Sequence, residues 1–203
     1  MKGVVFLLMA ACLLSTGCLD SKNPLSAPKT SKADERLAGV WRERNKDGKS
    51  VAYYHVGQAG DKFPKGVMRV VAIAHREGKV EPADEYLIFP TVLQGKTYLN
   101  VVANEEQVKL LDKDGWKADA IDAYTLCKYR LEGDTLVLWL IDDAAKERAI
   151  KSGKIKGEAK PNEPARFTDT TENLARFVAE AGDSLLDTKE PARFERVDAA
   201  KRP

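Results

Sequence analysis

Cysteine is scarce in this chain and badly placed for pairing. Of the three cysteines, Cys12 lies inside an apolar N-terminal run, Cys18 follows that run, and Cys127 stands far from both. No internal disulfide is expected, so a hydrophobic core has to hold the fold. Histidine is scarcer still, with only His55 and His75. They fall on separate segments with no ligand spacing, which argues against a histidine-based metal centre. A charge excess is also lacking: the net charge of +2 leaves no electrostatic footprint for nucleic acid. No apolar run reaches the roughly 20 residues of a spanning helix, and the run from Val4 to Leu14 stops well short. No internal repeat is visible. No Gly-rich elbow or oxyanion motif accompanies Cys127, so neither enzymatic activity nor a cofactor is expected.

The N-terminus, by contrast, carries an address. Met1 and Lys2 supply positive charge, Val4 to Leu14 has no polar side chain, and the small residues Ser15, Thr16 and Gly17 precede Cys18. This is the order of a signal-peptide core and cleavage region. It resembles the lipobox of bacterial lipoproteins, filled here by Leu14, Ser15, Thr16, Gly17 and Cys18, with serine in place of leucine three residues before the cysteine. The resemblance implies a diacylglyceryl group on the Cys18 thiol, cleavage before Cys18, and acylation of the new amino terminus. Each buried methylene contributes about 0.8 kcal/mol, so two or three acyl chains hold far better than one. Leu19, not aspartate, follows Cys18. By resemblance to Gram-negative lipoproteins this implies the outer membrane, with the protein facing the periplasm.

Residues 1–17 are therefore expected as a signal peptide, 18–35 as the lipidated cysteine and a flexible tether, 36–198 as one globular domain, and 199–203 as a tail. The tether rests on composition: LDSKNPLSAPKTSKADE is rich in Ser, Lys, Pro and Asp and offers little to bury. The body reads mainly as strands, at 37–44, 51–56, 66–75, 85–93 and 97–103. Pro90 places its strand at an edge, a bulge or an interruption. The clearest hairpin is 124–141. Cys127, Tyr129 and Leu131 share one parity, and Leu136, Leu138 and Leu140 the other, across a Gly133-Asp134 turn. A parity switch at the turn puts both sets on one face. Three helices are expected. Asn104 and Gln107 form a capping box before Gly115, and 142–153 runs from acidic to basic toward Gly153. In 168–182, capped by Asp169 and Glu172, Leu174, Phe177, Val178 and Ala181 share a stripe.

Leu37, Gly39 and Trp41 in RLAGVWRE resemble the G-x-W signature that opens the first strand of lipocalin-like barrels. The resemblance implies that Trp41 plugs the closed end and that an arginine of the last strand, Arg196 or Arg193 in ARFERV, packs across its indole. A guanidinium over an indole face gains about 0.5–2 kcal/mol. The family's T-D-Y motif has no counterpart, and the block 142–190 is longer and more helical than the family's late helix. The expected fold is α+β: a mostly antiparallel, lipocalin-like sheet or barrel with two to three helices, mainly toward the C-terminus. A barrel of this size either packs solid or holds one small ligand. The expected partners are thus the membrane, through the anchor, and a small apolar ligand, or alternatively another envelope protein docked on the surface.

Other chemistry reads more plainly as structure. Cys127 lies on an inward parity, where cysteine acts as a small hydrophobe. LDKDGW (111–116) and NKDGKS (45–50) place neither a glycine at the sixth nor a glutamate at the twelfth position of a calcium loop and read as Asp-Gly turns. Lys151, Lys154, Lys156 and Lys160 read as a solvated loop before they read as a contact for anionic head groups. Tyr53, Tyr54, Tyr86 and Phe89 could line a cavity or fill a core.

Overall fold

The computed structural model describes residues 20–44, 50–160 and 163–197. Its elements, in chain order, are β1 (Gly39–Arg44), β2 (Ser50–Gln58), β3 (Met68–Arg76), β4 (Lys79–Val80), β5 (Asp84–Leu93), β6 (Lys96–Val102), α1 (Glu105–Asp114), β7 (Thr125–Glu132), β8 (Thr135–Leu140), α2 (Asp143–Lys151), β9 (Gly157–Glu158), β10 (Arg166–Phe167), α3 (Thr171–Ala181) and β11 (Ala192–Arg196). Eight strands close into an antiparallel up-and-down barrel. β1, β2, β3, β5, β6, β7, β8 and β11 each pair with the next, and β11 returns to β1. Closure pairs each of these eight strands on both sides among the described residues. β4 extends only the tip of β3, and β9 with β10 forms a separate ribbon. The fold is α+β and lipocalin-like, with two of its three helices in the excursion between β8 and β11.

Side-chain parity separates two cores. Across the β7–β8 hairpin, Cys127 faces Leu140, Tyr129 faces Leu138 and Leu131 faces Leu136, and all six point into the barrel. The opposite parity, including Leu126 and Ile141, packs outside the wall beneath the helices. β5 is buried on both faces: Tyr86 and Ile88 inside, Leu87 and Phe89 outside. That explains its continuous apolar sequence. Pro90 lies beyond Ile88, the last residue of β5 that pairs with β3, so its missing N–H breaks no ladder on that side. Its carbonyl accepts a hydrogen bond from Ser31 Oγ at 2.6 Å.

The helix ends follow local chemistry. Asn104 Oδ1 accepts from Gln107 N–H at 3.1 Å, and Gly115, at φ +79°, ends α1. Asp142 Oδ1 accepts from Ala145 N–H at 2.6 Å at the start of α2. α3 is capped by Thr170, not by Asp169 as its sequence suggests: Thr170 Oγ1 accepts from Asn173 N–H at 3.3 Å. Asp169 instead gathers the N–H groups of Thr170 and Lys156 and the Asn173 amide. Leu174 and Val178 of α3 are buried against the outer wall, with Phe177 and Ala181 packed beside them.

Residues 20–31, tether-like in composition, lie along the barrel instead of standing off it. Asp20 and Ser21 exchange backbone hydrogen bonds with Tyr124 and Phe167. Leu25 is buried, and its N–H donates to Asn100 Oδ1 at 2.6 Å. Asp20 Oδ1 takes the Lys146 ammonium at 2.6 Å, and its Oδ2 accepts from Leu126 N–H at 2.9 Å. Lys146 is fully buried and also reaches Asp143 at 2.9 Å. Burial alone would push the Lys146 ammonium down, but the two carboxylates outweigh it and hold it above its ordinary value.

Candidate functional site

One end of the barrel is sealed by the residues around Trp41. The indole is completely buried, and its Nε1–H donates to Leu37 O at 2.8 Å. Trp41 lies opposite Arg196 in the ladder. The guanidinium carbon of Arg196 sits 4.2 Å from the ring centroid. Its Nη1 donates to Ala38 O at 2.8 Å, and its Nη2 donates to Arg36 O. Arg193 points outward toward Glu132 and is exposed. Gly39 has φ +126°, and a Cβ there would stand 2.8 Å from Arg196 Nη1. The positive φ favours glycine here, and a Cβ would also displace the Arg196 guanidinium.

Above this seal lies an apolar cavity of about 80 Å³. Leu37 and Trp41 form its floor; Val70, Ile88, Leu99, Leu136 and Phe194 are in its wall. Tyr54 meets Phe194 edge to face, with ring centroids 5.1 Å apart. Of the four aromatic residues singled out from sequence, Tyr54 and Tyr86 line this cavity. Phe89 lies on the outer face against Trp116 and Tyr124, and Tyr53 packs against His75.

Among the described residues a single carboxyl group lines the cavity. Glu43 shares the inward parity of Trp41 two residues earlier, and the Tyr54 hydroxyl donates to its Oε2 at 2.8 Å. Burial pushes the Glu43 carboxyl up, partly offset by the Tyr54 hydrogen bond. The Tyr54 hydroxyl is pushed well above its ordinary value by burial and by Glu43, so it remains a donor. No cationic side chain among the described residues pairs with Glu43. Sequence reasoning passed over Glu43, although the parity that sends Trp41 inward also sends Glu43 inward.

The remaining candidates do not gather into a site. Burial pushes the Cys127 thiol up to about 12, which leaves it protonated and inert in the wall. His55 is exposed on the outer face of β2. Among the described residues no cluster of His, Cys, Asp or Glu could hold a metal ion, and no helix is long and apolar enough to cross a membrane. Lys151 pairs with Glu147, and Lys160 lies near Glu158 and Glu163. A surface hollow beside Phe63 holds Arg69, which bridges Glu85 and Asp112 and ties α1 to the wall. Leu14, Ser15, Thr16, Gly17 and Cys18, and most of the NKDGKS turn, lie outside the described residues. Compared with protein families, curated proteins and solved structures, the chain matches none.

Proposed function

We propose that this protein is a non-catalytic envelope lipoprotein, anchored through acyl chains on Cys18, that binds a small apolar molecule inside its barrel. The observation that carries the ligand reading is the apolar cavity above the Trp41–Arg196 seal. Apolar, concave and closed at one end, it suits a ligand that water does not hold. The anchor reading rests on the order of apolar core, small residues and cysteine at the N-terminus. The outer membrane, facing the periplasm, is the proposed location.

The docked N-terminal segment gives the anchor a structural consequence. Only Leu19 separates Cys18 from Asp20, which is buried. Two Cα steps span at most about 7.6 Å. Acyl chains on Cys18 therefore hold the barrel directly against the bilayer. The Cys18→Ser variant is expected to move from the membrane to the soluble fraction and to take up no labelled palmitate. Membrane retention with continued labelling would refute the anchor.

The size of the cavity favours a second reading. Typical ligand pockets measure roughly 300–1,000 Å³, well above the 80 Å³ found here. A nearly filled barrel would suit a protein that docks an envelope partner through its surface. Native mass spectrometry of the protein purified from a bacterial host separates the two. A stoichiometric small molecule, released on denaturation, supports the binding module. An unliganded mass that no added apolar compound shifts supports the docking protein.

A further inference from the structure

We propose that the cavity selects small apolar molecules that carry one cationic head, with the ammonium on Glu43 and the apolar body against Val70, Ile88 and Leu136. The inference rests on the reading of the barrel interior as a ligand site and adds the chemical class of the ligand. Three observations support it. Among the described residues Glu43 is the only carboxyl in the cavity lining, and its described partner is a neutral hydroxyl. Asp84 adds charge of the same sign. It faces Ala72 across the β3–β5 ladder, and Ala72 faces Tyr54 across β2–β3. Among the described residues, Arg196 lies over Trp41 with its Nη groups on backbone carbonyls, so it cannot serve an anionic head.

A half-buried carboxylate in an apolar lining is poorly compensated, and a ligand ammonium would reduce that penalty. A fatty carboxylate would meet Glu43 with like charge. An alcohol could hydrogen-bond to it but would leave its charge uncompensated. The size of the cavity restricts the body to a few carbon atoms.

The test uses the full-length protein and three probes that share an isobutyl body: isobutylamine, isobutanol and isovalerate. Binding is read from NMR shifts of the inward methyl groups. The amine is expected to bind at least tenfold tighter than isovalerate, with isobutanol between them. Glu43→Gln should erase that gap, while Tyr54→Phe, which frees the carboxylate, should widen it. Should Glu43→Gln fail to fold, the probe series on the wild type and Tyr54→Phe decides alone. Equal binding of all three probes overturns the selection for a cation but leaves the cavity as a ligand site. An amine preference that survives Glu43→Gln overturns the role of Glu43. If no probe binds, the reading of the cavity as a ligand site falls, and this inference with it.

Discussion

At Gly39 two demands coincide: a backbone at φ +126° and room for the Arg196 guanidinium. Gly39→Ala meets neither and is expected to lower stability by about 1–3 kcal/mol in urea unfolding. Lys146 is a second exacting residue. Lys146→Met would strand the Asp20 carboxylate in the outer core, at a cost of about 3–5 kcal/mol. Adding Asp20→Asn should recover much of that loss, and a double-mutant cycle measures the coupling. Glu43 acts in the opposite direction. Burial raises its folded-state value above the ordinary 4.5, so its contribution to stability is full below 4.5 and is lost as pH rises through the raised value. Glu43→Gln is therefore expected to raise the thermal midpoint at pH 7.5 and to lose that advantage at pH 4. A gain of equal size at both pH values would mean that the charge of Glu43 is not what burdens the fold.

Among the elements, those governed by short-range rules were legible. The inward parities of the β7–β8 hairpin follow from alternation, and the start of α1 follows from the spacing of Asn104 and Gln107. The start of α3 lies one residue later than its sequence suggests, because Asp169 and Thr170 are both good caps. What separates them is the bond of Asp169 to Lys156 N–H, on a neighbouring segment. Thr170→Ala should cost about 0.5–2 kcal/mol. Asp169→Ala should cost more, since it releases three donors and loosens the loop as well as the helix. The two-residue strands β4, β9 and β10 carry too little sequence to show a period.

For the whole molecule, composition misled in one place. Residues 20–31 look like a linker because polar residues dominate, but their polar groups find partners far along the chain: Lys146 for Asp20, Asn100 for Leu25 and Thr91 for Ser26. No local pattern reveals pairings of that range. Deletion of residues 20–31 is expected to destabilise the barrel by several kcal/mol, by exposing the Leu25 site and leaving Lys146 without Asp20. Loss of a free tether would leave the unfolding midpoint unchanged. A mostly antiparallel, lipocalin-like sheet or barrel was legible from the G-x-W start and the run of strands, but its closure was not, because the pairing of β2 with β3 and of β11 with β1 is long-range or unmarked by any local pattern. Nor was its doubly buried wall, because continuous apolar runs such as YLIF suit either a buried strand or a helix segment.

The proposed ligand site stands or falls with an accessible apolar cavity in the barrel interior. Xenon binds dry apolar cavities and carries no head group, so it tests that claim apart from any ligand chemistry. Methyl NMR under xenon pressure should shift the inward methyls of Val70, Ile88, Leu99 and Leu136 and leave the outer-core methyls of Leu87, Leu126 and Leu174 in place. Shifts confined to the outer core, or none at any pressure the fold survives, would contradict the claim and identify the interior as solid.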